Sequence, residues 1–374
     1  MKKVLYIATV VKTHINEFHL PYIKRFSDLG WQVDVAAKND FLPKTSLEIP
    51  NCTRFWDIPF VRSPFSLGNI KAFRILKTIL NKEKYDLIIC NTPMGGVIGR
   101  LAAKDVENTK IVYIAHGFHF FKGNVWYKNM IFYNAEKIMA RYTDCLITIN
   151  DEDYNAAKKF KLRNSNQVYK IDGIGCNIKS NTIDKINMRK ELGIREDEFV
   201  VITVAEMIPR KNYITAIKAF ARANLPNSRY LIVGNGRQEH ELKKLAQLLQ
   251  IEDKITFLGY RKDISNLLNT SNVLLFPTLQ EGLGMAIIEA MTVGLPVLVS
   301  KVRGSLDCIV QNRSGLAYNP KDIEGFADGL LKIHNMSDEE IELISRFNKN
   351  HAKKFNIANV REEMFEIYKR SGVV

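Results

Sequence analysis

Short apolar runs alternate along this chain with longer stretches in which apolar residues return every three or four positions. Val4 to Val11, Gln32 to Ala37, Tyr85 to Cys90, Lys110 to Ala115 and Cys145 to Asn150 are runs of the first kind. After a polar gap come Phe199 to Ala205, Arg229 to Val233, Ile255 to Leu258, Val273 to Phe276 and Pro296 to Ser300. Near-continuous apolar runs of this length suit strands buried on both faces. Between them lie helical patterns: Phe18, Tyr22, Ile23 and Phe26 share one face of a helix stopped at Gly30, and Ile70 to Leu80 and Phe355 to Tyr368 are amphipathic. Strand and helix in strict alternation predict an α/β protein with parallel sheets. Phe55 to Pro64, with Pro59 and Pro64, reads as a loop, and the aperiodic, lysine-bearing Asn177 to Asn187 reads as a linker. At 374 residues the chain is long for one domain, and the pattern divides it into residues 1–178 and 179–354 plus a closing helical segment, 355–374.

One crossover unit carries the most chemistry. Val273 to Phe276 is a strand bounded by Pro277, Gln280 to Gly284 a glycine-bearing turn, Met285 to Met291 a helix, and Pro296 to Ser300 the next strand. Gly282 and Gly284 are free to take positive φ and to let a ligand approach the backbone. Glu281 falls in the turn, and Glu289 about one turn inside the helix. Both then project toward the carboxyl edge of the sheet, where open α/β folds bind ligands. The turn amides, including that of Leu283, and the helix N-terminus would meet an anion there. Two carboxylates beside anion-binding amides suit a sugar joined to phosphate. An ordinary crossover with one surface and one helix-dipole glutamate has the same spacing.

Composition narrows the class. Apolar residues make up 46% and charged residues 25%, as in globular proteins. The five cysteines are widely spaced with no C-x-x-C, which implies a reducing, cytoplasmic setting and neither disulfide framework nor zinc. No apolar run approaches the ~18 residues of a membrane span. The net charge of +14 is lopsided: residues 1–180 hold 27 lysines and arginines against 16 acidic residues, the remainder 27 against 24. A basic N-terminal half implies an anionic partner, of which a membrane surface is one candidate. Val125 to Tyr142 crowds Trp126, Tyr127, Met130, Ile131 and Phe132 among Lys128, Lys137 and Arg141, a composition that suits a helix lying on a bilayer at the inner face of the cell membrane, or equally a packed core stripe.

The run E-G-L-G-M-A-I-I-E-A-M-T-V-G-L-P-V, residues 281–297, resembles the signature of the retaining family 4 glycosyltransferases of bacterial capsular and exopolysaccharide type, which have the GT-B fold. That resemblance implies two Rossmann-like domains facing across a cleft, with the C-terminal helix crossing back to the first. It also implies a metal-independent, retaining hexosyltransferase that needs no cofactor beyond its donor, a nucleotide-sugar, UDP-linked. Glu281 would bind and orient the sugar, and Glu289 would take the ribose hydroxyls. The segment Glu206 to Asn212 matches the family's G-R-x-x-x-x-K-G only at Lys211, which would grip the diphosphate. Glu206 stands where the family has arginine and Asn212 where it has glycine, so either Arg210 or Arg303 would supply the missing charge or the diphosphate would rely more on backbone amides.

Further candidates follow from position. Gly234-Asn235-Gly236 after a strand suits close approach of a nucleotide, and in the family the loop holding Tyr260 and Arg261 lies near the base. His116, at the end of the strand Lys110 to Ala115, matches a family histidine that contacts the donor sugar near the reacting carbon. His119 and His14 are acceptor-side candidates. His14 lies in a first loop, Lys12 to Asn16, that lacks the family's glycine pair. His116 and His119 lack a convincing third metal ligand, so no metal is expected. The acceptor would be a glycan or a polyprenyl-diphosphate-linked precursor of a surface polysaccharide. Two other readings stay open: a GT-B nucleotide-sugar epimerase, and a non-catalytic basic protein binding membrane or nucleic acid. No RNA-binding motif is present, so nucleic acid is not an expected partner.

Overall fold

A computed structural model describes residues 1–41, 47–163, 167–176 and 185–374. The chain divides into two compact units: unit 1 is Met1–Gly175 with Ile357–Val374, and unit 2 is Cys176–Asn356. The divisions fall three residues before the 178/179 boundary and two after the 354/355 boundary drawn from sequence. Of the linker read at Asn177 to Asn187, residues 177–184 lie outside the described residues, and the rest opens the helix Lys185–Glu191.

Unit 1 holds a seven-stranded parallel sheet: β1 (Lys3–Val10), β2 (Gln32–Lys38), β3 (Arg54–Asp57), β4 (Leu87–Asn91), β5 (Lys110–Ala115), β6 (Cys145–Thr148) and β7 (Val168–Lys170). Their order across the sheet is β3-β2-β1-β4-β5-β6-β7. Part of the Phe55 to Pro64 stretch is therefore the edge strand β3, in register with β2 through Val35↔Phe55 and Ala36↔Trp56. As an edge strand it buries little and carries no long apolar run. Leu5, Ile7, Ile88, Cys90 and Ile111 belong to the core of this unit and are fully buried.

On the other side of β1, Tyr6 packs near Phe26, whose ring lies 4.9 Å from Phe365 and 5.9 Å from Tyr368. Both partners sit on the helix Ile357–Arg370, which therefore completes the core of unit 1 although all of unit 2 precedes it in the chain. Burying two aromatic side chains of this size contributes roughly 1.5–3 kcal/mol each.

Unit 2 repeats the plan with β8 (Phe199–Val204), β9 (Ser228–Val233), β10 (Ile255–Gly259), β11 (Val273–Phe276), β12 (Val297–Ser300) and β13 (Gly315–Tyr318), ordered β10-β9-β8-β11-β12-β13, all parallel. In both sheets the strand order reverses once, between β1 and β4 and between β8 and β11. In open α/β sheets a ligand crevice forms outside the carboxyl ends of the strands at that reversal.

Candidate functional site

At the β8/β11 reversal two loops are stitched together. Leu279 N–H donates to the Arg210 carbonyl (2.8 Å), and Arg210 Nη1 donates back to the Gln280 carbonyl (3.0 Å). Lys211 and Glu281 meet on this strap. Lys211 Nζ lies 2.6 Å from Glu281 Oε1, Thr278 Oγ1 donates to the same oxygen (2.9 Å), and Arg210 Nη1 lies 3.7 Å from Oε2. Glu281 is buried, and the Lys211 ammonium rests 5.1 Å above the Phe276 ring. Two cations and one carboxylate leave the cluster net positive, a disposition that favours an incoming anion. Glu206 is exposed and takes no part in this cluster, so Arg210 brings the second positive charge beside Lys211.

Asn212 is a milder departure from the family than its side chain suggests. Its φ of 58° and ψ of 40° are left-handed, the conformation glycine favours and asparagine tolerates. Its amide then donates to the Pro277 carbonyl (2.8 Å) and the Pro320 carbonyl (2.6 Å), tying the strap to β13's following loop.

The helix Met285–Thr292 starts at Gly284, whose φ is an ordinary −81°. Its freedom to take positive φ is therefore not used; a Cβ there would press on Ile287 instead. Its N–H is also spent, donating to the Gly304 carbonyl (3.1 Å), and the Met285 N–H donates to the Leu283 carbonyl. Among the described residues the N–H groups of Leu283 and Ala286 donate to no carbonyl, so these remain for an anion. Glu289 stands one turn further on. No hydrogen bond or ion pair reaches its carboxylate among the described residues, and burial pushes its pKa up to about 7.

Two of the other donor-side candidates answer a packing need. A Cβ on Gly234, whose φ is +133°, would collide with the Ala205 carbonyl, and one on Gly236 with the Met207 carbonyl. Two backbones cross here, with Met207 N–H donating to the Asn235 carbonyl (2.9 Å), and the crossing by itself requires glycine at both positions. Tyr260 is exposed, and Arg261 is committed to Asp263 in a two-pronged pair (2.8 and 2.6 Å).

In unit 1 no loop follows β1. The chain passes straight into a π-helix, Val11–His19, continuous with the helix Leu20–Asp28. This corrects the first loop read at Lys12 to Asn16. His14 and His19 lie five apart, which in an α-helix turns them about 140° from each other. The wider i→i+5 winding brings them together instead, with His14 Nε2 3.2 Å from His19 Nε2. His116, after β5, joins them, its ring centroid 4.6 Å from that of His14 and 5.6 Å from that of His19.

Sequence reasoning missed His19, because the only signal, an H-x4-H spacing, is uninformative without the π-helix. His14 is held down to about 2 by burial and then by His19 and Arg62. Burial first and a neighbouring histidine second also hold His19 and His116 well below the usual value. All three rings are thus neutral at physiological pH. His119 is exposed, leaning on Phe132 at 5.3 Å, and is not part of the trio. A pocket of about 310 Å³ opens beside them, lined by Thr9, Arg62, Thr92, His14, His116 and His119 among others.

Two sheets of strictly parallel strands, each reversing its order once and one bearing a Glu-x7-Glu crossover, define a two-unit α/β protein, and comparison with known proteins assigns its family. The family described as "Glycosyl transferases group 1" matches residues 184–354, and "Glycosyl transferase 4-like" matches residues 3–150. The chain belongs to the GT4-type glycosyltransferases of GT-B fold. EpsD of Bacillus subtilis (strain 168), named as a glycosyltransferase, is 35% identical over 98% of this chain and 96% of its own length. The Escherichia coli UDP-Gal:alpha-D-GlcNAc-diphosphoundecaprenol alpha-1,3-galactosyltransferase is 29% identical over 81% of this chain and 80% of its own. Among solved structures, Anabaena HepE in complex with UDP and glucose superposes with a TM-score of 0.80 at 20% identity, covering 99% of this chain and 100% of that one. The protein is a glycosyltransferase; the epimerase and nucleic-acid-binding readings find no support among its relatives.

Proposed function

We propose that this glycosyltransferase moves a hexosyl residue, with retention of configuration, from a UDP-linked sugar to a glycan or polyprenyl-diphosphate-linked acceptor in surface polysaccharide synthesis. The observation that carries this reading is the pairing, on one crossover of unit 2, of a clamped Glu281 with a Glu289 that has no partner of its own. A carboxylate takes a vicinal diol well, so Glu289 receives the ribose hydroxyls. Glu281, fixed by Lys211 and Thr278, presents its remaining acceptor capacity to the sugar hydroxyls. Lys211, Arg210 and the Leu283 and Ala286 amides meet charge growing on the leaving diphosphate, the contribution that usually dominates such catalysis. A diphosphate oxygen takes the acceptor proton, so the transfer needs no enzyme nucleophile. In unit 1, His116 is assigned to the transferred sugar and His14 and His119 to the acceptor. The E. coli relative's named substrates and the UDP and glucose bound to HepE support the donor and acceptor classes.

The same reading places the enzyme at a membrane face. The helix Trp126–Ala140 is anchored from below by Glu136, whose carboxylate lies 2.9 Å from the fully buried Arg100 guanidinium. Its outer face exposes Trp126 (74%), Met130, Ile131 and Ile138, with Lys128 and Lys137 alongside. Exposed aromatic and aliphatic groups among lysines suit an anionic bilayer. Among the described residues no helix is long and apolar enough to cross one.

The test is a panel of UDP-, GDP-, ADP- and dTDP-sugars scored by thermal stabilisation and then by nucleotide release in the presence of acceptor. One UDP-sugar should stabilise the protein most and turn over with an acceptor. Stabilisation by none of them, or turnover only to free sugar and UDP, would refute the reading.

A further inference from the structure

We propose that Arg62, at the pocket of unit 1, takes the diphosphate of a polyprenyl-diphosphate-linked acceptor, with Phe65 and Leu67 of the same loop immersed in the bilayer that carries it. The assignment rests on the glycosyl-transfer reading and deepens it, selecting the lipid-linked of its two acceptor classes.

The loop is built to hold its arginine. Ile58 and Phe60 are buried at its base, and the buried Asn69 side chain spans it. Asn69 Oδ1 accepts from the Val61 N–H (3.0 Å) and its Nδ2 donates to the Ser63 carbonyl (2.8 Å), so the backbone is fixed on either side of Arg62. Arg62 lines the pocket with Thr92, His14 and His116, near enough to His14 for its charge to be felt there. It forms no ion pair with a carboxylate among the described residues.

The pocket favours an anion. Among the described residues no carboxylate lines it, and with the histidines neutral Arg62 is its only full charge. The helix Pro93–Ala103 adds the positive end of its dipole, since Thr92, Pro93 and Met94 at its start line the same pocket. A guanidinium with no protein partner is a planar fork that a diphosphate can engage in two prongs. His116 Nε2, shielded from solvent and without a hydrogen-bond partner among the described residues, is left for a sugar hydroxyl. Diphosphate at the arginine and sugar at the histidines is the order in which a sugar-diphospho-lipid presents its parts.

The apolar part of such an acceptor has its counterpart outside the pocket. Just after Arg62 in the chain, Phe65 is 93% exposed and Leu67 80%, with Ile70 exposed beyond them. Between Asp57 and Glu83 the chain carries Arg62, Lys71, Arg74, Lys77 and Lys82 and no acidic residue, a pattern complementary to an anionic leaflet. His119, which also lines the pocket, leans on Phe132 of the helix Trp126–Ala140, so that helix adjoins the pocket as well. A lipid whose chain stays in the bilayer can offer its sugar only to a site brought down to the surface. Two exposed apolar elements beside one pocket supply that approach.

The test is sedimentation of the full-length protein, with UDP present to occupy unit 2, on phosphatidylcholine vesicles doped with a polyprenyl diphosphate, with polyprenol, or with phosphatidylglycerol at matched charge. The wild type should bind the diphosphate vesicles at least about tenfold more tightly than either control, and free pyrophosphate should compete. Arg62→Gln should remove that preference, Arg62→Lys should restore part of it, and UDP binding should be unchanged in both. Phe65→Ser/Leu67→Ser should weaken binding to all three vesicles by a common factor and leave the preference in place. Equal affinity of the wild type for diphosphate and phosphatidylglycerol vesicles, a preference that survives Arg62→Gln, or loss of UDP binding by that variant would each overturn the proposal. Transfer to a lipid-free glycan is scored by nucleotide release without vesicles, so failure here leaves the transferase reading standing.

Discussion

Replacing Glu289 by glutamine separates what this side chain costs the fold from what it contributes to the donor. Burial lifts the carboxyl from 4.5 to about 7, with no cation or hydrogen bond to offset it. The folded state therefore prefers the protonated acid, and the stability tied to that proton is fully present below about pH 4.5. As pH rises the unfolded chain ionises first, so stability falls through the interval up to about 7 and then levels off. At 1.36 kcal/mol per unit, the shift is worth at most about 3 kcal/mol. Glutamine has the same shape and no proton to lose. Glu289→Gln should thus match wild type at pH 4.5 and exceed it by up to about 3 kcal/mol at pH 8, or roughly 6–12 °C in the melting of a unit this size. The assay is scanning calorimetry at both pH values, resolving the transition of unit 2. At the same time UDP should bind about 10–100-fold more weakly at pH 8, because charge-assisted hydrogen bonds to the ribose are lost. In the wild type, UDP affinity should rise from pH 5.5 to 8, with protons released on binding. An equal change in melting temperature at both pH values, or tighter UDP binding by the variant, would refute the reasoning.

Three further outcomes follow from the same geometry. Glu281→Gln should lower kcat by roughly 100–1000-fold with little change in UDP affinity, read by steady-state UDP release; small and equal losses in both would remove Glu281 from its proposed role. At Asn212, glycine keeps the left-handed backbone but loses the two bonds to Pro277 and Pro320, whereas alanine loses both the bonds and the conformation. Urea unfolding should rank wild type above Asn212→Gly and Gly above Ala, the last step costing about 1–2 kcal/mol. Vesicles of anionic lipid should sediment the wild-type protein and release it with added salt, while Ile131→Glu should bind at least about tenfold less and keep its turnover on a water-soluble acceptor; failure of the wild type to sediment would sink the membrane reading.

How much of this was legible beforehand depends on how local each feature is. The Glu281/Glu289 crossover was readable because strand, turn and helix are contiguous, so spacing alone puts both carboxylates at one sheet edge. The partnership of Lys211 with Glu281 was not, since it joins loops seventy residues apart whose contact exists only once β8 and β11 are neighbours. The backbone crossing at Gly234 and Gly236 was hidden for a related reason: sequence shows that a side chain is unwelcome, not what would collide with it. The edge strand β3 hid among prolines and aromatics because an outer strand needs no long apolar run. The histidine trio was invisible, as periodicity arguments assume α-helical winding and the π-helix breaks that assumption.

The helix Ile357–Arg370 has a consequence for biogenesis. The first half of the chain leaves the ribosome with its sheet complete but with Phe26 lacking the cover of Phe365 and Tyr368, and it stays so while every residue of unit 2 is being made. During synthesis, then, the earlier unit waits on the later one, and a nascent chain stalled anywhere before Ile357 carries an open apolar seam that invites capture by chaperones or by its own neighbours.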